Sequence, residues 1–178
     1  MFSSSFPVLK TDNILLRKII RSDQFAVFQG LSDEQVIKYY GVEYHSYADT
    51  KLQLDWFNQQ LRDKTGIWWG ITTNEIGTLL GTCGLYNLQE AHQKAELGYW
   101  LMPAYWRQGM MRKALTAILK YGFQELNLHR IEAYVETENT ASFNLLQCLG
   151  FRHEGTLEDN EIKKGRFISL HVLALLNK

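Results

Sequence analysis

Apolar and polar positions alternate along this chain in two distinct periods. Ile14-Leu15-Leu16-Arg17-Lys18-Ile19 reads as a first strand. Ser22 stands where a helix over about residues 23–31 would be capped. A second short helix is predicted from Asp33 to Tyr39. A third begins at Asp49 or Thr50 and carries Leu54, Phe57 and Leu61 on one face. Strand patterns then dominate. Ile67 to Thr73 forms one, and Asn74-Glu75 with Gly77 resembles a hairpin connection. Thr78 to Tyr86 forms the next, and Asn87 to Gln93 reads as a turn. Ala95 to Met102 places Ala95, Leu97, Tyr99 and Leu101 on a single face.

The clearest helix follows Gly109. Leu115, Ile118, Leu119, Gly122, Phe123 and Leu126 repeat at helical spacing, and Asn127 suits its C-terminal end. Arg130 to Glu136 alternates as a strand. Asn139 is a good N-cap for a helix over 140–149, and two last strands cover about 151–157 and 167–176. Strands with helices inserted at fixed places predict an α/β fold, a mixed sheet of about six or seven strands with helices on both faces. The length, 178 residues, and the lack of a linker-like segment predict one domain over residues 1–178.

Composition narrows the partners. Nineteen basic and nineteen acidic residues cancel, which argues against a broad nucleic-acid surface. The N-terminal residues lack the order of a signal peptide, and no apolar run is long enough to cross a bilayer. Cys83 and Cys148 lie in apolar contexts, so two buried thiols in a reduced cytoplasmic protein are expected. His45, His92, His129, His153 and His171 have no metal-ligand spacing, so no metal is predicted.

Candidate chemistry begins between Tyr99 and Leu115. A strand, a turn with one glycine and an amphipathic helix with nearby cations form a seat for a diphosphate. The first helical turn has free N–H groups and a partial positive charge. Gly109 lets the backbone approach a ligand, and Arg107, Arg112 and Lys113 add charge. A second segment, Asn139-Thr140-Ala141-Ser142 with Leu149-Gly150-Phe151 ten residues on, follows the strand at 130–136.

Together these segments resemble the GNAT superfamily of N-acetyltransferases, in the branch of ribosomal-protein N-terminal acetyltransferases (the RimJ/RimL type). The resemblance runs from about Leu15 to Leu176. It implies a mostly antiparallel twisted sheet with a splayed strand pair that holds acetyl-CoA. Gln108, Gly109, Met110, Met111 and Arg112 would hold the diphosphate with Arg107. Backbone groups of Trp100, Leu101 and Met102 would pair with the pantetheine arm, and Asn139 would touch the cofactor while capping its helix. Glu96, in Ala95-Glu96-Leu97-Gly98-Tyr99-Trp100, matches the glutamate often proposed as base, and Ser142 would stabilise the departing thiolate. Structural roles stand beside these: Glu96 in an ion pair, Ser142 satisfying backbone N–H groups. Tyr39, Tyr40, Trp68, Trp69 and Tyr86 lie in segments that wall the acceptor site in relatives, although Trp68 and Trp69 point to opposite faces.

Three positions depart from the family pattern: Trp106, Met111, which could crowd the phosphate seat, and Ser169 in place of an aspartate. The expected reaction is direct acetyl transfer to a primary amine, either a protein N-terminus or a small molecule, without an acyl-enzyme. A non-catalytic acyl-CoA sensor is the alternative. Relatives often form dimers, so a homodimer is a further expectation.

Overall fold

The computed structural model describes residues 5–178. One eight-stranded sheet runs in the order β1-β2-β3-β4-β5-β6-β8-β7. Its strands are β1 (Leu9–Lys10), β2 (Leu15–Lys18), β3 (Ile67–Thr72), β4 (Gly81–Gln89), β5 (Lys94–Leu101), β6 (Arg130–Glu136), β7 (Arg152–Lys163) and β8 (Arg166–Leu176). Helices α1 (Gln24–Ser32), α2 (Glu34–Ile37) and α3 (Lys51–Arg62) precede β3. Helix α4 (Met110–Gln124) joins β5 to β6, and α5 (Thr140–Cys148) joins β6 to β7. All neighbouring strands are antiparallel except β5 and β6. Parallel neighbours need a long crossover, and α4 supplies it.

Period-two alternation divides the core between the two faces of the sheet. Leu16, Trp69, Cys83, Leu85, Leu97 and Ile131 pack under α4 and α5. Trp68, Leu79 and Trp100 pack under α1, α2 and α3. The tryptophan pair of β3 is split as its spacing predicts. Trp69 meets Tyr121 of α4 at 5.3 Å between ring centres and donates from its indole to Pro7 O at 2.8 Å. Trp68 lies on the other face against Phe57 and Tyr86.

Several boundaries differ from expectation. Ser22 does not cap α1; a 3-10 turn, Arg21–Asp23, leads into it. Asp23 is the residue that organises this corner, accepting from Ile20 N and, through both oxygens, from Arg17. β4 continues to Gln89 with an irregularity after Tyr86, so the polar stretch from Asn87 is partly strand. β7 and β8 form a longer hairpin than predicted, and β1 adds an unforeseen short strand. Cys83 is buried as expected, but Cys148 is exposed on the outer side of α5. Asn127 does take the left-handed conformation just past α4, with φ 53°.

Candidate active site

Strands β5 and β6 share register only at Lys94↔Arg130, Ala95↔Ile131 and Glu96↔Glu132. Beyond Glu96 they part. A cleft of about 750 Å³ occupies the gap, bordered by Tyr99, Trp100 and Leu101 of β5, the turn to α4, the start of α5, and Tyr39 and Tyr40 after α2.

The turn before α4 is shaped by backbone conformation. Arg107 has φ 59° and Gly109 has φ 74°, both left-handed. A side chain at Gly109 would meet open space, so its glycine is demanded by φ rather than by crowding. As N-cap, Gly109 brings no side-chain oxygen to the helix start. The first-turn N–H groups of α4 therefore keep their donors for a ligand. Arg107 and Arg112 are exposed, border the cleft, and have no ionic partner among the described residues. Lys113 instead donates to Asn13 Oδ1 and does not border the cleft.

The family departures acquire physical roles. Met111 is 9% exposed and packs into the core, so only its edge reaches the cleft and the seat stays open. Trp106 donates from its indole to Leu101 O at 2.6 Å, pinning the turn to the end of β5. Ser169 Oγ accepts from the N–H of left-handed Asp159 in β7, and Ser169 O accepts from Thr137 N below the Asn139 loop.

Four candidate cofactor residues need redrawing. Met102 N donates to Leu80 O. By two-residue alternation the backbone of Trp100 also faces β4, which leaves Tyr99 and Leu101 facing the gap. Leu101 O is already taken by Trp106. The Gln108 side chain folds back to Ala104 O and, like Met102, does not border the cleft. Trp100 and Leu101 do border it, with Arg107, Gly109, Met110, Met111, Arg112 and Asn139.

At the second wall, Asn139 Oδ1 accepts from Ser142 N at 3.1 Å, capping α5 as predicted. Ser142 borders the cleft, and its Oγ lies 2.6 Å from the hydroxyl of Tyr99. Desolvation pushes the Tyr99 phenol up to about 12, although the bond to Ser142 works the other way. Sequence reading missed this contact, since Tyr99 looked like one of four core residues on β5.

Glu96 stands at the apex of the splay, on the face opposite Tyr99 and Ser142. It accepts from Asn87 Nδ2 at 2.6 Å, and its charge acts on the nearby Tyr86 phenol. Burial and the neighbouring Glu96 push Tyr86 well up from its ordinary value. Glu96 does not itself border the cleft; Tyr40 does, and Tyr40 and Tyr86 are close enough to influence each other's ionisation. Neither Trp68 nor Trp69 reaches the cleft. Among the described residues, no group of three His, Cys, Asp or Glu side chains is placed to hold a metal ion.

Residues 13–152 match the family model described as an acetyltransferase (GNAT) domain. The chain belongs to the GNAT acetyltransferase family. The uncharacterized N-acetyltransferase YoaA of Bacillus subtilis (strain 168) is 36% identical over 172 residues, covering 96% of this chain and 97% of its own. Among solved structures, a RimL ribosomal L7/L12 alpha-N-protein acetyltransferase in complex with coenzyme A superposes with a TM-score of 0.86 at 18% identity, covering 96% of this chain and 98% of that one. A spermidine N-acetyltransferase from Vibrio cholerae, in complex with CoA and spermine, gives 0.81 at 23% identity, covering 93% and 96%. The GNAT fold thus carries the expected architecture, a mostly antiparallel open sheet with one parallel, splayed pair, and this GNAT chain is an acetyltransferase. Among the described residues, no helix is long and apolar enough to cross a membrane.

Proposed function

We propose that this protein, acting as one domain, transfers the acetyl group of acetyl-CoA directly to a primary amine. The observation that carries the reading is the cleft between β5 and β6, with a bare helix N-terminus at one end and Ser142 in its wall. The donors that face it fit a diphosphate: the first-turn N–H groups of α4, with Arg107 and Arg112 beside them. Gly109 leaves the approach open, and Tyr99 and Leu101 offer the outward N–H groups for an extended arm.

The residues divide the work between the two faces of the sheet. Tyr40 and Tyr86 lead from the cleft toward Glu96, which takes the proton of the attacking amine through a water. Ser142 donates to the sulfur as the carbon–sulfur bond breaks. The α5 N-terminus adds its partial positive charge on the same side. No cysteine borders the cleft, which supports transfer in a ternary complex rather than through an acyl-enzyme.

Charge bookkeeping favours a lone amine over a polyamine as acceptor, whether on a peptide N-terminus or on a small monoamine. Glu132 is matched by Arg130 and Lys94, Glu136 by Lys163, and Glu43 by Lys164 and His45. A polycation needs several uncompensated acids, and Glu132, Glu136 and Glu43 are already compensated.

Two measurements test the reading. Acetyl-CoA at about 100 times its Kd should stabilise the fold by about 2.7 kcal/mol. Thiol release with a panel of monoamines, free-N-terminal peptides and polyamines should then show turnover, strongest for acceptors with one amine. Binding without turnover for every amine would leave the sensor alternative, and no binding would end both.

A further inference from the structure

The proposed transfer leaves one bond inside the cleft unused. The hydroxyl of Tyr99 and Oγ of Ser142 join β5 to the first turn of α5 across 2.6 Å, and both residues border the cleft. Among the described residues the phenol has no other hydrogen-bond partner. A phenol carries a single proton to donate, and Ser142 Oγ is the side-chain acceptor within reach of it. Either hydroxyl can donate in this bond, and donation from Tyr99 to Ser142 Oγ is the direction that leaves the serine proton free. The main chain of Ser142 is held separately, through its N–H to Asn139 Oδ1. With one lone pair taken by Tyr99, the serine keeps its own proton and has the open cleft in which to direct it.

We propose that Tyr99 is the positioning residue of Ser142, donating to Oγ so that the serine hydroxyl is aimed at the sulfur of a thioester held in the cleft. The proposal rests on the acetyl-transfer reading and adds a residue to it. In the step, the amine nitrogen bonds to the thioester carbonyl carbon. The carbon–sulfur bond breaks and its electron pair stays on sulfur. The amine proton leaves toward Glu96. The Ser142 hydroxyl donates to the new thiolate, which takes a proton from solvent on release.

Tyr99 does not give up its proton in this scheme. A thiol ordinarily ionises near about 8.5, whereas desolvation lifts the phenol to about 12. Full relay from Tyr99 to sulfur would run uphill, so the phenol directs the serine and remains neutral.

The test is a double-mutant cycle on the intact protein, read by CoA release and by CoA binding. Ser142→Ala should lower kcat by about 100-fold, the scale of a lost transition-state donor. Tyr99→Phe should lower kcat by about 10-fold, the scale of one net hydrogen bond, with KM for acetyl-CoA and Kd for CoA unchanged. In the Ser142→Ala background, Tyr99→Phe should have no further effect. Multiplicative losses, or a change confined to KM and Kd, would overturn the proposal while leaving acetyl transfer intact. Absence of turnover in the unmodified protein would remove both.

Should Tyr99→Phe fail to fold, 3,5-difluorotyrosine at position 99 keeps the ring and makes the phenol more acidic. Its kcat should fall as pH rises through the lowered phenol pKa, because a phenolate cannot donate to Ser142. The same substitution with Ser142→Ala should lack that limb; a limb present in both, or in neither, refutes the role.

Discussion

Glu96 stands opposite Glu132 at the last register position shared by β5 and β6, yet only Glu132 is paired with cations. Glu132 is 8% exposed and accepts from Arg130 Nε at 2.6 Å, with Lys94 Nζ at 3.5 Å. Among the described residues Glu96 has no cationic partner and accepts from the neutral amide of Asn87. Of two carboxylates at one apex, one is held by cations and the other is not. Glu96→Gln should therefore lower kcat about 100- to 10,000-fold, the range of a lost general base, with CoA affinity retained. Steady-state kinetics beside calorimetric CoA binding will check it. Unchanged turnover would remove Glu96 from the mechanism.

The Arg17–Asp23 pair should matter to stability rather than to rate. Both nitrogens of the Arg17 fork meet the two Asp23 oxygens at 2.8 Å, with the side chains 11% and 6% exposed. Asp23 also raises the Arg17 pKa through its hydrogen bond. Arg17→Met would strand a buried carboxylate at the entry to α1, and should cost about 3 kcal/mol in denaturant unfolding. A loss below about 1 kcal/mol would show that the corner relaxes to admit water.

Gly30 of α1 is packed against the indole of Trp100, so closely that an added Cβ would fall 2.1 Å from the ring. Trp100 borders the cleft from the other side. Gly30→Ala should destabilise by about 1–3 kcal/mol. Because the displaced ring must move toward the cleft, KM for acetyl-CoA should rise as well. An increase in neither quantity would mean that α1 can back away.

Trp106→Phe tests the strap between turn and strand. Losing the indole bond to Leu101 O should cost about 1 kcal/mol of stability, and KM for acetyl-CoA should rise several-fold with kcat nearly constant. Comparing the two parameters in one steady-state series separates a binding effect from a chemical one.

His171 gives a pH dependence of known sign. Its ring centre lies 4.7 Å from that of His153 and 4.9 Å from that of Phe143, and Thr156 Oγ1 bonds Nδ1 at 2.9 Å. Desolvation first, then the like charge of His153, lowers its pKa below the ordinary 6.5. A histidine that resists protonation when folded binds more protons when unfolded, so stability should fall as pH drops below about 6.5. Tm measured between pH 8 and pH 5 should show that decline, and His153→Gln should reduce it.

Much of the fold was legible because its signals are local. The seven apolar repeats that became β2 to β8, the stripe of α4 and the capping asparagine of α5 each depend on residues within a few positions of one another. The turn at Gly109 was legible for the same reason. Short-range patterns misled where a competing partner came from elsewhere. Ser22 had the right chemistry for a cap, but Asp23 was drawn into the corner by Arg17. Cys148 had apolar neighbours in sequence, yet they point inward while it points out. The backbone of Leu101 looked free until the indole of Trp106 folded back onto its carbonyl.

The sequence alone determined the order of elements, the two faces of each strand and the helix start that invites a diphosphate, because backbone period and capping are properties of neighbours. Tertiary structure decided that β5 and β6 part after Glu96, that Glu132 and not Glu96 is paired with cations, and that Tyr99 reaches Ser142, 43 positions further along the chain. Those outcomes depend on which strands lie side by side and which side chains lose their water there, and no local pattern encodes either.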